Sequence, residues 1–208
     1  MDKILTGLAA LLFVSTAASA QRAAVDITNA QVQEVLKQGT GIDHTLKVVD
    51  MGDYQLSVAV IHRGPTAPPA AGNGSRAAAP AANVVRCGLT AAPAGAAPGP
   101  AGMIAHDDTA ETYIVISGSG TLVTGGTIVN GSRSAPDSDV TRILNGPSCS
   151  GAVVGDVVSR KMGVGDISVI PAGLPHGWIG IDKEVTYLSV RPDPKKVLAH
   201  DYVNPLLK

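Results

Sequence analysis

Aromatic residues are scarce in this chain: one Trp, four Tyr and one Phe among 208 residues. The single Phe, Phe13, lies in an apolar stretch at the N-terminus, so Tyr113 and Trp178 are among the few aromatic groups left to line a pocket. Basic clusters are absent as well. The 16 Lys and Arg are scattered against 17 Asp and Glu for a net charge near −1, which excludes the basic footprint of a nucleic-acid binder. No apolar run reaches the roughly 20 residues that a bilayer crossing needs, and no period of solenoid or propeller length recurs. Cysteine is limited to Cys87 and Cys149, neither of which has a second Cys or a His at ligand spacing, which argues against a thiolate metal site.

What is present begins with Met1-Asp2-Lys3, an apolar run from Ile4 to Val14, and small residues ending in Ala18-Ser19-Ala20. That charged, apolar and small-residue order is the pattern of a secretory signal peptide over residues 1–20, with Gln21 as the mature start. The expected product is periplasmic or secreted and free of the membrane once cleaved. An oxidising compartment favours closing an even pair of cysteines, so a Cys87–Cys149 disulfide is expected; two unrelated free thiols are the competing reading. The remaining residues, 21–208, amount to one domain, long enough to bury a core.

Thr28-Asn29-Ala30-Gln31 reads as a capping box, with Val32, Val35 and Leu36 at one-face helical spacing before Gly39, so a short helix opens the mature chain. The period then changes. Tyr54, Leu56, Val58, Val60 and His62 alternate with Gln55, Ser57, Ala59 and Ile61, which predicts a half-buried strand with His62 on its apolar face. Further strands are expected at 111–117, 121–124, 127–129, 153–158, 167–170 and 185–190, separated by turns such as Gly118-Ser119-Gly120 and Gly125-Gly126. Between Gly64 and Gly102 the composition falls to Ala, Pro and Gly, the pattern of a disordered insertion in which only residues 83–90 look able to settle on the domain. Many short strands with one helix predict an all-β sandwich or barrel.

Two strings carry the chemistry. In Gly165-Asp166-Ile167-Ser168-Val169-Ile170-Pro171-Ala172-Gly173-Leu174-Pro175-His176, a strand ends in a rigid Pro-Gly bend that delivers His176 onto the next strand. The string resembles the second motif of the cupin superfamily, G-x5-P-x-G-x2-H-x3-N, except that Gly180 stands where the family has Asn. The earlier run from His106 to Gly118 resembles the first motif, in which Glu111 and Gly118 fit the E-x6-G half. His106 fills either histidine slot of that motif, leaving Ile104 or Asp108 at the other.

The resemblance implies a double-stranded β-helix (jelly-roll) barrel holding one divalent transition metal, Fe, Mn, Ni or Zn, on His106, Glu111 and His176. Asp108 and His62 are candidate acid-base groups or extra ligands, although a solvated hairpin for Asp107 and Asp108 and a hydrogen-bonded core histidine for His62 are the simpler readings. Tyr113 shares the alternation of Glu111, and Trp178 that of His176, so both are candidates to face the cavity. Cupins include dioxygenases, isomerases and lyases that act on small oxygen-bearing molecules, and also storage and sugar-binding proteins. Pairing of two copies through sheet edges is a further expectation.

Overall fold

The computed structural model describes residues 23–66 and 84–207; the expected signal peptide and the middle of the Ala/Pro/Gly segment lie outside them. Helix α1 spans Asn29–Gln38. The Thr28 hydroxyl accepts the Gln31 N–H at 3.2 Å while the Gln31 side chain accepts the Thr28 N–H at 3.0 Å, so the capping box satisfies two of the N-terminal donors. Gly39 closes the helix by donating its N–H to Val35.

Nine strands follow among the described residues: β1 (Asp43–Asp50), β2 (Gln55–Arg63), β3 (Arg86–Cys87), β4 (Met103–His106), β5 (Glu111–Arg133), β6 (Ser148–Gly163), β7 (Ile167–Ile170), β8 (His176–Ile179) and β9 (Val185–Asp193). A one-turn π-helix, Val140–Leu144, lies between β5 and β6. The strand order is β1-β2-β9-β5-β6-β4-β8, with β3 and β7 also on β5 and a further β5–β8 pairing. The pairings between named strands are antiparallel.

Strand β5 makes this a barrel. Its first part, to Gly118, pairs with β7 and β9; from Ser119 onward it pairs with β6 and, over Thr121–Thr124, with β8. One strand therefore serves both sheets, bending at Gly118, whose φ of 68° suits glycine and where a Cβ would lie 2.0 Å from the Glu184 carbonyl oxygen. The sequence reading placed turns at 118–120 and 125–126 and so divided this segment into three strands. It is one strand of 23 residues, and its glycines bend it without ending it.

The faces of β2 are reversed relative to the sequence reading. Ala59 and Ile61 point into the barrel, joining Tyr113, Val115, Leu122, Met162, Trp178 and Tyr187 in its core. Val58 and Val60 point outward, and they are apolar because α1 covers them: Val32, Val35, Leu46 and Val60 form a second cluster. With both faces of β2 lined by apolar groups, alternation alone could not say which was inside. His62 follows Val60 outward and is exposed.

The Ala/Pro/Gly segment was expected to settle only over residues 83–90, yet residues 84–102 run along the barrel. Strand β3 pairs with β5, Leu89 and Pro98 bridge to Val129 and Val154, and the Gly99 N–H donates to the Val153 carbonyl at 2.9 Å. Glycine here permits close approach. A Cβ on Gly99 would lie 2.8 Å from a Val153 methyl group, and one on Gly88 would lie 2.3 Å from the Ile128 carbonyl oxygen. The Cys87–Cys149 disulfide ties this segment to the start of β6 across 62 residues.

Replacing both cysteines, Cys87→Ser with Cys149→Ser, removes a cross-link whose loop length corresponds to about 2–4 kcal/mol of stability. The double variant is expected to melt about 5–15 °C below the parent protein. Thermal unfolding of the two proteins without reductant checks this; equal midpoints would show that the segment docks without needing the bond.

Candidate metal centre

Three strand ends meet at one end of the barrel. His106 closes β4, Glu111 opens β5 and His176 opens β8. Ile104 of β4 lies opposite His176, and Glu111 lies opposite Ile170, the last residue before the Pro171–Gly173 bend. That bend is locked to β4 by a 2.7 Å hydrogen bond from the Gly173 N–H to the His106 carbonyl, and Gly173 takes φ 78° to make it. A rigid turn thus fixes both histidines against one glutamate. All three side chains are at most 3% exposed.

The ligand atoms of His106, Glu111 and His176 lie within 4.8 Å of one another. Glu111 Oε2 is 2.9 Å from His176 Nε2 and 3.2 Å from His106 Nε2. The outer hydrogen bonds determine what these nitrogens carry. His176 Nδ1 faces the Leu174 carbonyl oxygen at 2.9 Å, which can only accept, so Nδ1 holds the proton. His106 Nδ1 faces Ser148 Oγ at 2.8 Å; that hydroxyl spends its own proton on the Gly146 carbonyl, so Nδ1 is again the donor. In the neutral rings both Nε2 atoms therefore present lone pairs toward a carboxylate oxygen. His176 Nε2 accordingly lies close to Glu111 and yet makes no hydrogen bond.

The other side of Glu111 is saturated with donors. Oε1 accepts Arg191 Nε at 2.6 Å, Ser189 Oγ at 3.0 Å and Asn145 Nδ2 at 3.4 Å, and Oε2 accepts the Tyr113 hydroxyl at 2.8 Å. Arg191 is held in turn by Asp43, at 3.2 and 2.7 Å, and by the Leu144 carbonyl at 3.1 Å. Burial opposes ionisation of Glu111, but the Arg191 guanidinium beside it outweighs that cost and holds the carboxyl well below the usual range. Burial lowers His106 below the ordinary imidazole value despite its Glu111 neighbour, and burial together with the Glu111 charge raises the Tyr113 hydroxyl. The set is an ionised carboxylate and two neutral imidazoles kept dry, with each ring oriented by an outer partner. It fits a first-row divalent cation, whose positive charge would relieve the opposed lone pairs.

The structure joins His106, Glu111 and His176 and separates the other candidates. Asp108 is exposed, as the simpler reading expected, while Asp107 pairs with Arg133 at 2.6 Å. His62 is neither in this site nor a core histidine; it lies on the outer face of the sheet, where its Nδ1 meets Thr186 Oγ1 at 2.9 Å. Tyr113 and Trp178 do face inward. The Trp178 ring stacks on Tyr113 at 6.4 Å and lies 5.2 Å from Tyr187, so these rings fill the barrel beside the centre. Sequence reading missed Arg191, Ser148, Asn145 and Asp43, which hold the ligands. Burying the Arg191 charge demands a carboxylate partner, but that burial is a property of the fold and no local sequence pattern announces it.

No protein-family model and no curated protein matches the sequence. Among solved structures, the chain is similar to a Bacillus halodurans protein, BH2720, at 13% identity, covering 86% of this chain and 87% of that one with a TM-score of 0.40. It is similar to the DMSP lyase DddQ of Ruegeria pomeroyi at 12% identity and a TM-score of 0.35, covering 72% of this chain and 46% of that one, so it spans under half the length of that lyase. A Klebsiella pneumoniae protein with a double-stranded β-helix domain matches at 15% identity, 74% and 80% coverage and a TM-score of 0.34. The antiparallel barrel, the turn that delivers His176 and the His-Glu-His cluster agree with the double-stranded β-helix barrel expected from the two motifs.

Arg191→Met keeps the bulk of the side chain and removes the charge that holds Glu111. Leaving one member of a buried ion pair unpartnered costs about 3–5 kcal/mol. Urea unfolding at neutral pH should show that loss, and a Met variant as stable as the parent would refute the role given to Arg191.

Proposed function

We propose that the chain is an exported metal-binding cupin-type protein that acts on a small oxygen-bearing molecule at a centre of two histidines and one glutamate. The observation that carries the reading is the convergence of two imidazole lone pairs on one carboxylate oxygen in a dry interior, an arrangement that is unfavourable without a cation between them. A bound divalent cation would supply Lewis acidity or, if redox-active, an oxygen-binding position. The protein residues do the rest. Arg191 and Ser189 hold one oxygen of Glu111 so that the other faces the histidines, and Ser148 and the Leu174 carbonyl fix the ring tautomers. Tyr113 keeps its proton and donates a hydrogen bond to Oε2, steadying the carboxylate oxygen that faces the histidines. Glu111 and Asp43 together outweigh Arg191 by one negative charge, so a divalent cation leaves the cluster net positive and an anionic oxygen ligand completes its balance.

A second reading is a non-catalytic small-molecule or sugar-binding barrel, in which the unfilled histidine slot of the first motif, with Ile104 or Asp108 in place of a second histidine, means weak or absent metal. Export is part of the proposal and draws support from residues 1–20 and from the disulfide, a bond that needs an oxidising compartment. A mature protein beginning at Gln21 by intact mass is the expected outcome.

Metal analysis of the purified protein tests the centre. About one equivalent of Fe, Mn, Ni or Zn is expected, falling to a trace in His176→Ala. A metal-free parent protein whose stability no added metal changes would overturn the reading. Protons compete with the metal for its nitrogen ligands, so retention should fall at acid pH, with His106 losing the metal below the ordinary imidazole value of about 6.5. Because burial holds the His106 value down, half-loss is expected below that point and not above it. Azide separates the two readings: a shift in the spectrum of the metal-loaded protein marks a reachable open position, and no shift favours the binding barrel.

A further inference from the structure

We propose that the groove between α1 and the outer face of the barrel is a second ligand site, and that it takes a small protonated amine with an apolar tail. The groove is a cleft of about 640 Å³ on the face of the sheet opposite the metal centre. Val32 and Leu36 of α1 form one wall, and Ile116 and Leu188 of the sheet form the other. The lining carries two polar groups: the neutral amides of Asn29 and Gln33 on α1, and the set in which Ser117, Glu184, Thr186 and His62 meet.

The proton directions in that group are determined. Glu184 accepts Ser117 Oγ at 2.6 Å on Oε1 and Thr186 Oγ1 at 2.8 Å on Oε2. Thr186 has spent its only proton, so toward His62 Nδ1, at 2.9 Å, it can only accept, and Nδ1 carries the hydrogen. In its neutral form the ring therefore turns an unprotonated Nε2 outward as a free acceptor, on a side chain that is 52% exposed. Among the described residues Glu184, at 30% exposure, is the one carboxylate in the lining; no Lys or Arg lines it, and the basic group there is His62, whose Nδ1 lies 3.6 Å from Oε2. One end of the groove thus offers acceptors and a carboxylate, and the walls offer apolar surface from Ile27, Val32, Leu36, Ile116 and Leu188 beside two neutral amides. An ammonium head with three donors matches the first, and a short hydrocarbon or aromatic tail matches the second. A carboxylate head would meet Glu184 and be repelled. The site shares no residue with His106, Glu111 or His176, so it stands or falls independently of the metal.

Titration of the full chain with hexylammonium, hexanol and hexanoate tests this. Hexylammonium is expected to bind, to shift the His62 ring signals in the NMR spectrum, and to bind at least about tenfold more tightly than either analogue. Glu184→Gln, which keeps the bulk and the hydrogen-bonding atoms, should weaken the amine by about tenfold and leave hexanol unchanged. Leu36→Trp, which fills the cleft, should abolish binding of all three, with melting curves of both variants confirming that they fold. The proposal is overturned if the amine does not bind, if hexanoate binds equally well, or if both folded variants bind like the parent. An unfilled groove that binds only once residues 67–83 are deleted would also overturn it, since the occupant would then be the chain itself.

Discussion

The ion pair between Glu111 and Arg191 is the constraint around which the barrel is arranged. Both groups are about 1% exposed, and a charge in that position is tolerable only with a partner and a full set of hydrogen bonds. Arg191 spans the gap between β9, β5 and β1, touching Glu111, Asp43 and the Leu144 carbonyl. It therefore gathers the beginning of β5, the beginning of β1 and the π-helical segment at one end of the barrel. Without it Glu111 would take up a proton in so dry a place and lose its value as a ligand. Structural and chemical roles coincide in one guanidinium.

The same economy holds for the histidines. Strand ends supply His106 and His176, and the hydrogen bonds that hold their Nδ1 atoms come from the immediate backbone neighbourhood, from Ser148 opposite His106 and from Leu174 two residues before His176. These contacts are made by the fold itself, so the tautomers are set before any cation arrives. The binding energy of a metal is then not spent on reorienting rings.

How far the sequence spoke depends on whether the relevant pattern was local. The Pro171–Gly173 bend and His176 were legible because the turn chemistry and the ligand lie within one short string. Helix α1 was legible from its capping box and its spacing, and β7 was read with its observed bounds, Ile167–Ile170. The sides of β2 were not legible, because α1 makes its outer face as apolar as its inner one and a period of two carries no sign. Glycine misled twice. At Gly118 and at Gly125-Gly126 it marks bends inside one long strand, and at Gly88 and Gly99 it marks close backbone contact in a segment whose composition suggested disorder. The supporting residues Arg191, Asn145 and Asp43 lie far from the motif in sequence and meet it only through long-range pairing, which no local pattern encodes.

The misplacement of His62 shows how the two surfaces of the barrel differ in kind. A strand of period two sends adjacent residues to opposite faces: Arg63 reaches the Tyr187 hydroxyl inside, at 3.0 Å, while His62 next to it faces the outer groove. The inner ligands are buried, and the segment from Ser134 to Pro147 is tied to their neighbourhood by Asn145 on Glu111, by Arg191 on the Leu144 carbonyl and by Thr45 on the Ile143 carbonyl. The outer groove is open, with a half-exposed imidazole at its end. The inner centre is closed off from solvent by packing, whereas the groove meets solvent directly.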